Sequence, residues 1–316
     1  MSTGQPPPAE EIPPPYLEEV SPSIFAYVQL DGTWCLNNPA FIVGPSSVTA
    51  VDACATERRS RDSRAAIART TPNIVNTLVN THSHMDHTFG NFVFSPGATI
   101  VGHERCRADI ETERFTSLDQ ARGFFPDVDW GEIKITAPSL TFDDRITLFV
   151  GDLEVQLIYV SPAHTMTGVV AWIPERRVLI AGDVIFSGGA PFALQGSIAG
   201  WLGALDRLRD LGPESIIPGH GPVCGPELFS EMEAYLRFVQ DTARVGFETG
   251  VRPLELALDT DLGEFARLTD PERIVGNLFR AYSELEGKVP GAPIDAIATR
   301  DGMIAFNGGH PLRCLA

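Results

Sequence analysis

The sequence predicts an α/β protein whose sheets are covered by helices, with a helical appendage at its C-terminal end. Short runs rich in β-branched and aromatic residues predict strands at 24–30, 40–44, 48–53, 73–80, 98–103, 145–150, 153–160, 168–173, 177–182 and 215–221. Stretches with polar-faced or amphipathic helical spacing lie between and after them, at 55–70, 104–122, 201–211 and 227–245. The alternation of the two patterns is most simply explained by sheets with helices outside them.

Composition divides the chain into three parts. Residues 1–22 are rich in Pro and Glu and too poor in apolar side chains to offset the entropy of ordering, so we expect a flexible arm. Residues 23–250 hold the predicted strands and form the predicted main domain. Residues 251–316 form the predicted appendage, whose clearest helix begins near Pro271 and stops near Gly287. This helix carries an apolar stripe that consists of Ile274, Leu278, Tyr282 and Leu285. The stripe should pack on the main domain or on a second subunit.

Composition and charge also restrict the function. The 316 residues are 43% hydrophobic and 21% charged, as is typical of a soluble globular protein. A net charge of −17 would repel nucleic-acid phosphates, and no apolar segment is long enough to be a membrane span or a secretory signal. The five cysteines include no Cys-x-x-Cys pair, which argues against a disulfide framework. We therefore expect a cytoplasmic protein that acts on a small molecule, with no nucleic-acid or membrane partner.

Residues 79–91, VNTHSHMDHTFGN, contain three of the seven histidines in the chain. Such side chains are costly to desolvate, so a shared ligand explains their clustering better than packing does. His82 and His84 are separated by one residue, so in an extended loop both imidazoles can point the same way. Asp86 and His87 follow where the chain turns. Two metal positions can therefore be reached from this one turn.

Three later segments each place one further candidate beside an apolar β-rich run, namely His164, Asp183 and His220. Each candidate has small or turn-forming neighbours that let the backbone come close. Ligands at strand ends are held by a rigid sheet and stay open to a cleft, as a catalytic metal requires. Zn²⁺ binds imidazole and carboxylate groups and, in catalytic sites, leaves one position open for water.

Four motifs follow one another in the order found in the metallo-β-lactamase superfamily, which this sequence therefore resembles over roughly residues 23–225. They are His-x-His-x-Asp-His at 82–87, the later His164, Ala-Gly-Asp ending at Asp183, and Gly-His ending at His220. The resemblance implies an αββα sandwich with two metals at one edge.

The resemblance also implies a role for each candidate. The first metal would be held by His82, His84 and His164, and the second by Asp86, His87 and His220. Asp183 would bridge the two metals, and a hydroxide between them would be the nucleophile. Asp86 would also have a catalytic role, because it can orient that hydroxide. The complete set favours two zinc ions per chain, with iron as the alternative.

The activity that follows is hydrolysis of an ester, lactone, thioester or amide carbonyl. The glycine-rich apolar segment 185–201 favours a small and largely apolar substrate, with Phe192 and Leu194 as candidate substrate contacts. Two alternatives stay open: an iron-dependent oxidoreductase similar to the persulfide dioxygenases, and a β-lactamase. A nuclease is disfavoured by the acidic charge, and a purely structural zinc site is usually closed and rich in cysteine.

The other conspicuous side chains are expected to be structural. His103 and His310 match no ligand of the family, and Cys224 is expected to pack, since His220 and Asp183 already fill the positions near it. The sequence does not reveal the natural substrate, and it leaves open whether the chain forms a homo-oligomer.

Overall fold

The computed structural model describes residues 12–113 and 117–316 of the chain. The strands of this part are β1 Tyr16–Ser21, β2 Ile24–Val28, β3 Ala40–Val43, β4 Ser47–Val51, β5 Ile74–Val79, β6 Thr99–His103, β7 Leu140–Phe142, β8 Arg145–Val150, β9 Leu153–Tyr159, β10 Val169–Ile173, β11 Val178–Phe186 and β12 Ser215–His220. Its α-helices are α1 Glu57–Thr70, α2 Met85–Thr88, α3 Asn91–Phe94, α4 Glu104–Glu111, α5 Leu118–Phe124, α6 Ile198–Asp210, α7 Glu227–Thr249, α8 Pro253–Asp259, α9 Arg273–Leu285 and α10 Ala296–Phe306. None of these helices is long and apolar enough to cross a lipid bilayer.

The strands form two mixed sheets. Seven strands make the first sheet in the order β1 to β7, with antiparallel pairing from β1 to β4 and parallel pairing from β4 to β7. Five strands make the second sheet in the order β12, β11, β10, β9, β8, in which only the β11–β12 pair is parallel. Each sheet therefore combines hairpins with crossover connections, as the alternation of strand and helix patterns predicts.

The sheets pack face to face, with helices on both outer faces. A buried apolar cluster joins the two sheets through side chains such as Ile42 and Val79 of the first and Leu157 and Ile180 of the second. A second cluster joins the outer face of the first sheet to α1 and α3, and a third joins the second sheet to α6, α7 and α9. This four-layer arrangement confirms the predicted αββα sandwich.

Strand β11 is buried along its whole length. It is inside its sheet, covered by the first sheet on one face and by helices on the other, so its residues are apolar except for Asp183. Its pairing with β12 shifts register around Gly182, which has a φ of 50°. A Cβ at Gly182 would lie 2.6 Å from Thr81 Oγ1, so only glycine fits this close approach between the two sheets.

The C-terminal residues cover the helical side of the second sheet. Helix α9 contacts α7 and α8, and α10 contacts α9. In the predicted apolar stripe Ile274, Leu278 and Tyr282 are buried, while Leu285 is 42% exposed. The predicted boundary at residue 250 falls at Gly250, the left-handed residue that ends α7. The division into a main domain of residues 23–250 and an appendage of residues 251–316 stays a prediction.

Three local predictions need correction. Residues 16–21 of the predicted flexible arm form β1, which pairs with β2 because its backbone N–H and C=O groups hydrogen-bond to those at the edge of the first sheet. Residues 1–11 of the predicted arm lie outside the described part. In the predicted helical stretch 104–122 the described residues form two helices, α4 and α5, and residues 114–116 lie outside the described part. Helix α9 begins at Arg273, two residues after Pro271, because Asp270 has a left-handed φ of 57° just before it.

We expect Leu157→Ala, between the two sheets, to lower the free energy of unfolding by about 2–5 kcal/mol, since it leaves a cavity in the apolar layer. Phe149→Ala on the neighbouring strand β8 is the control, because Phe149 is 74% exposed. Chemical denaturation measures both changes. Equal stability of the two variants would contradict the sandwich packing described here.

Candidate metal centre

The seven candidate side chains converge at one edge of the sandwich. His82 and His84 lie in the connection that follows β5, and Asp86 and His87 lie in the single turn of α2. The second sheet supplies the other three, which are His164 after β9, Asp183 in β11 and His220 at the end of β12. Contrary to expectation, Asp183 lies within its strand, at the register shift beside Gly182, because β11 continues to pair with β12 as far as Phe186.

Two groups of ligand atoms result. His82, His84, His164 and Asp183 bring one nitrogen or oxygen each within 4.8 Å of one another, and so do Asp86, His87, His220 and Asp183. Asp183 belongs to both groups: its Oδ2 lies 3.3 Å from His164 Nε2, and its Oδ1 lies 3.0 Å from His87 Nε2. The structure therefore brings together all seven predicted side chains, in the two sets that the resemblance implies. Their role as metal ligands stays a prediction.

Three buried ligand atoms in these groups make no hydrogen bond of good geometry with another described residue. They are His82 Nε2, His87 Nε2 and Asp183 Oδ1, although the last two lie 3.0 Å apart as an ion pair. Leaving such atoms unsatisfied is costly, and bound cations are one way in which clustered donors of this kind are satisfied. The donor set, imidazole nitrogen with carboxylate oxygen, is the set that divalent zinc and iron accept. The residues present therefore fit a pair of divalent metal ions.

The far nitrogens of His84, His87 and His164 are held by the protein, whereas His220 Nδ1 has no hydrogen-bond partner among the described residues. His87 Nδ1 lies 2.8 Å from Asp52 Oδ2, and His164 Nδ1 contacts the backbone carbonyl of Phe192. His84 Nε2 lies 2.5 Å from Gln195 Oε1. When these ring nitrogens donate to oxygen acceptors, the opposite nitrogens are left with free lone pairs that face the cluster. These hydrogen bonds fix the orientations of the three rings, as a histidine that binds a metal requires.

Asp52 and Gln195 hold candidate ligands by hydrogen bonds, and neither was predicted from the sequence. Asp52 directly follows the β-rich run VTAV, and a polar residue at the end of a predicted strand is a sequence signal that could have identified it. In the structure Asp52 has a left-handed φ of 62°. Its carboxylate accepts hydrogen bonds from Thr81 N and Thr81 Oγ1, at 2.8 and 2.7 Å, as well as from His87. Gln195 carries no local signal, because only folding brings it to His84.

Charge is divided unevenly over the cluster. Burial lowers the pKa of His82 well below its usual range and that of His164 to about 3, so both rings are neutral. Burial also opposes protonation of His87 and His220, but the nearby aspartates outweigh it. Asp183 raises the pKa of His220 to about 9, and Asp183 with Asp52 raises that of His87 well above its usual value.

The remaining candidates lie as follows. Leu194 is 7% exposed, and the ring of Phe192 packs against Trp34 at a centroid distance of 5.1 Å. Contact of Phe192 or Leu194 with a substrate stays a prediction. His103 caps α4 by accepting a hydrogen bond from Arg105 N, and Cys224 lies half-buried beside Ile216. Neither residue belongs to the two ligand groups, and nor does the exposed His310.

The sequence profile of the metallo-beta-lactamase superfamily matches residues 32–220, more than half of the chain, and this range includes both ligand groups. The chain belongs to this superfamily. Its match to the metallo-beta-lactamase from Pontibacter korlensis has a TM-score of 0.59 and covers 71% of this chain and 99% of that chain. At 16% identity, that likeness supports the αββα fold of this superfamily member and nothing about its substrate.

The curated relatives of this superfamily member differ from it in chain length. It is 25% identical over 255 residues to the linear primary-alkylsulfatase of a Pseudomonas strain, covering 70% of this chain and 48% of that protein. It is 26% identical over 152 residues to the hydroxyacylglutathione hydrolase of Rhodospirillum rubrum, covering 48% of this chain and 47% of that protein. The chain thus spans about half the length of the curated relatives that it matches.

We expect Asp52→Asn to weaken binding of a divalent cation by about 10- to 100-fold, because the variant loses the charged acceptor that orients His87. Competition with a chromophoric chelator measures the affinity. Asp62→Asn, on the exposed side of α1, is the matched control and should bind as the unmodified protein does. Equal affinities in all three proteins would show that Asp52 does not support a ligand.

Cation binding by metal-free protein should release protons at pH 7, since His87 and His220 have raised pKa values and must lose their protons to become ligands. The apparent affinity should therefore rise with pH until the pKa of His220, about 9, has been passed. Calorimetric titration in buffers of different ionisation enthalpy counts the protons. The His220→Ala variant should release fewer protons on cation binding. Release of no protons by the unmodified protein would contradict the prediction.

Proposed function

We propose that this protein is a zinc-dependent hydrolase that attacks the carbonyl group of a small and largely apolar substrate. The observation that carries the proposal is the pair of ligand groups sharing Asp183. All of their donor atoms are imidazole nitrogens or carboxylate oxygens, and no cysteine takes part. Structural zinc sites are usually closed and rich in cysteine, whereas this donor set is typical of open catalytic sites.

The proposed chemistry assigns a task to each part of the cluster. When bound, two zinc ions would lower the pKa of a shared water towards neutrality and polarise the substrate carbonyl. Asp183 would contribute to holding both, because its Oδ1 lies beside His87 of the second group and its Oδ2 lies beside His164 of the first. Asp86, whose Oδ2 lies 3.2 Å from His220 Nε2, would in addition orient the attacking hydroxide.

His84 and its neighbour Met85 are half-buried and form the solvent-facing edge of the cluster. The six candidate ligands other than His84 are buried. A cavity of about 450 Å³ is lined in part by Gln195, the hydrogen-bond partner of His84. Its lining is mixed: Met166, Val289 and Pro290 are apolar, whereas Arg105 and Asp109 are charged. A cavity of this size supports the proposal of a small substrate, and the preference for an apolar one rests on the sequence of residues 185–201.

The named relatives support hydrolysis but differ in the bond that their names describe, an alkylsulfatase and a hydroxyacylglutathione hydrolase. The choice of a carbonyl substrate is therefore part of the proposal. The acidic surface adds a second argument about substrates, because a net charge of −17 disfavours the approach of polyanions such as acyl-coenzyme A.

The test combines metal analysis with a substrate panel. Protein purified without chelator or added metal should contain close to two zinc ions per chain. It should hydrolyse simple esters or lactones faster than acyl-glutathione or acyl-coenzyme A compounds. Activity should disappear on chelation and return with zinc, since the nucleophile depends on the bound metal. Asp183→Ala should fold but lose most of its second-site zinc and most of its activity.

The panel also includes alkyl sulfates, β-lactams and an oxygen-uptake assay with a persulfide. Stoichiometric iron together with oxygen consumption and no hydrolysis would replace the hydrolase with an iron-dependent oxidoreductase. Hydrolysis of sulfates alone would keep the metal site and reject the carbonyl substrate. Asp206→Ala, an exposed residue of α6, is the control for Asp183→Ala and should retain zinc and activity.

A further inference from the structure

Helix α9 presents three polar side chains to one loop, the residues 187–197 that connect β11 to α6, and a fourth to the start of α6. Arg273, Asn277 and Arg280 are fully or almost fully buried, at 2%, 0% and 1% exposure. They are spaced by four and three residues, so they lie on one face of the helix with Glu284 four residues further on. Glu284 accepts hydrogen bonds from Ile198 N and Ala199 N, where α6 begins.

The hydrogen bonds from α9 hold the loop on both sides of Phe192. Asn277 Nδ2 donates to Pro191 O at 2.8 Å, and Asn277 Oδ1 accepts from Ala193 N at 2.8 Å. Further out, Arg273 donates to Ala190 O and Arg280 donates to Leu194 O, at 2.9 and 2.6 Å. Because both peptide groups that flank Phe192 are fixed, the direction of its own carbonyl is fixed as well.

That carbonyl is the partner of His164 Nδ1. A backbone oxygen can only accept, so His164 Nδ1 must carry the proton and Nε2 must be the free nitrogen. His164 Nε2 is also the nitrogen that faces the cluster, 2.9 Å from His84 Nδ1 and 3.3 Å from Asp183 Oδ2. The chain of contacts therefore runs from Asn277, through the Phe192 carbonyl, to the lone pair of a predicted metal ligand.

We propose that Asn277 is a positioning residue for the first metal, fixing the tautomer and the ring direction of His164 through the carbonyl of Phe192. The inference rests on the proposed function, since it needs a metal at that position. It adds a task for the C-terminal residues, which lie beyond the range that matches the superfamily profile. Helix α9 is then part of the metal site's support and not solely a cover for the sheet.

A purely structural role for Asn277 predicts something different. Loss of its buried hydrogen bonds would then lower stability without changing how the folded protein binds metal. The structure offers a matched control, because Asn277 Nδ2 has a second partner in Tyr235 Oη at 3.0 Å, and Tyr235 belongs to α7 and not to the loop. Tyr235→Phe removes that buried hydrogen bond and leaves the contacts with Pro191 and Ala193 in place.

The first experiment compares Asn277→Ala, Tyr235→Phe and the unmodified full chain. Cobalt(II) is the probe, since its absorption spectrum reports ligand geometry, and chelator competition gives the affinity for the first cobalt ion. Asn277→Ala should weaken that affinity by about tenfold or more and alter the spectrum, as expected when a partner that orients a ligand is lost. Tyr235→Phe should keep both at the unmodified values, whatever its thermal stability.

A second pair of variants keeps the inference testable if Asn277→Ala fails to fold. A Cβ at Gly276 would lie 2.5 Å from Phe192 Cε2, so Gly276→Ala should displace Phe192 without removing a buried polar group. Gly203→Ala in α6 is its control, because the nearest atom to its Cβ would be 3.8 Å away. We expect weaker cobalt binding and an altered spectrum for Gly276→Ala alone.

The outcomes separate this inference from the proposed function. If the unmodified protein binds cobalt and Asn277→Ala and Gly276→Ala both match it, the positioning role is overturned and the metal site stands. If Tyr235→Phe weakens binding as much as Asn277→Ala does, a general loss of stability explains the result and the positioning role is also overturned. If the unmodified protein binds no cobalt and no zinc, both the proposed function and the positioning role fall.

Discussion

The structure depends on the burial of seven ionisable side chains against one another. Two aspartates and five histidines meet at the sandwich edge, and all but His84 are buried. Taking such groups out of water is unfavourable unless each finds a charged or hydrogen-bonding partner. Within the protein, protons on His87 and His220 balance Asp86 and Asp183. Divalent cations would supply the same compensation with more charge, which is why this cluster is better explained as a metal centre than as a core.

The rest of the site is arranged so that the cluster keeps its geometry. One layer of support comes from the first sheet, where Asp52 at the end of β4 holds both Thr81 and His87. Another comes from the loop 187–197, whose Phe192 carbonyl and Gln195 side chain hold His164 and His84. Each ligand group combines side chains that follow β5 of the first sheet with side chains of the second sheet, so the alignment of the two sheets sets the geometry within each group.

Much of this arrangement is predictable from the sequence because the signals are local. The run from His82 to His87 follows a β-rich segment directly, and His164 and His220 stand at the ends of two others. Residue type and spacing were enough to place each of them at a strand end. The same local reasoning failed where the decisive partner is distant: residues 16–21 are rich in Glu, yet they form a strand because β2 offers an unpaired edge. It also placed Asp183 beyond β11, since the pairing of Phe186 with His220 cannot be inferred from either segment alone.

The sequence by itself determined the fold class and the seven side chains of the candidate metal centre, since periodicity and motif spacing are properties of short segments. Only the tertiary structure decided which groups hold those side chains. Gln195 lies 111 positions from His84, and Asn277 lies 84 positions from Ala193, so neither contact leaves a local pattern. The first bond joins half-buried groups and the second joins buried groups, and both exist only after the sheets and α9 have packed and displaced the water that would otherwise satisfy these atoms.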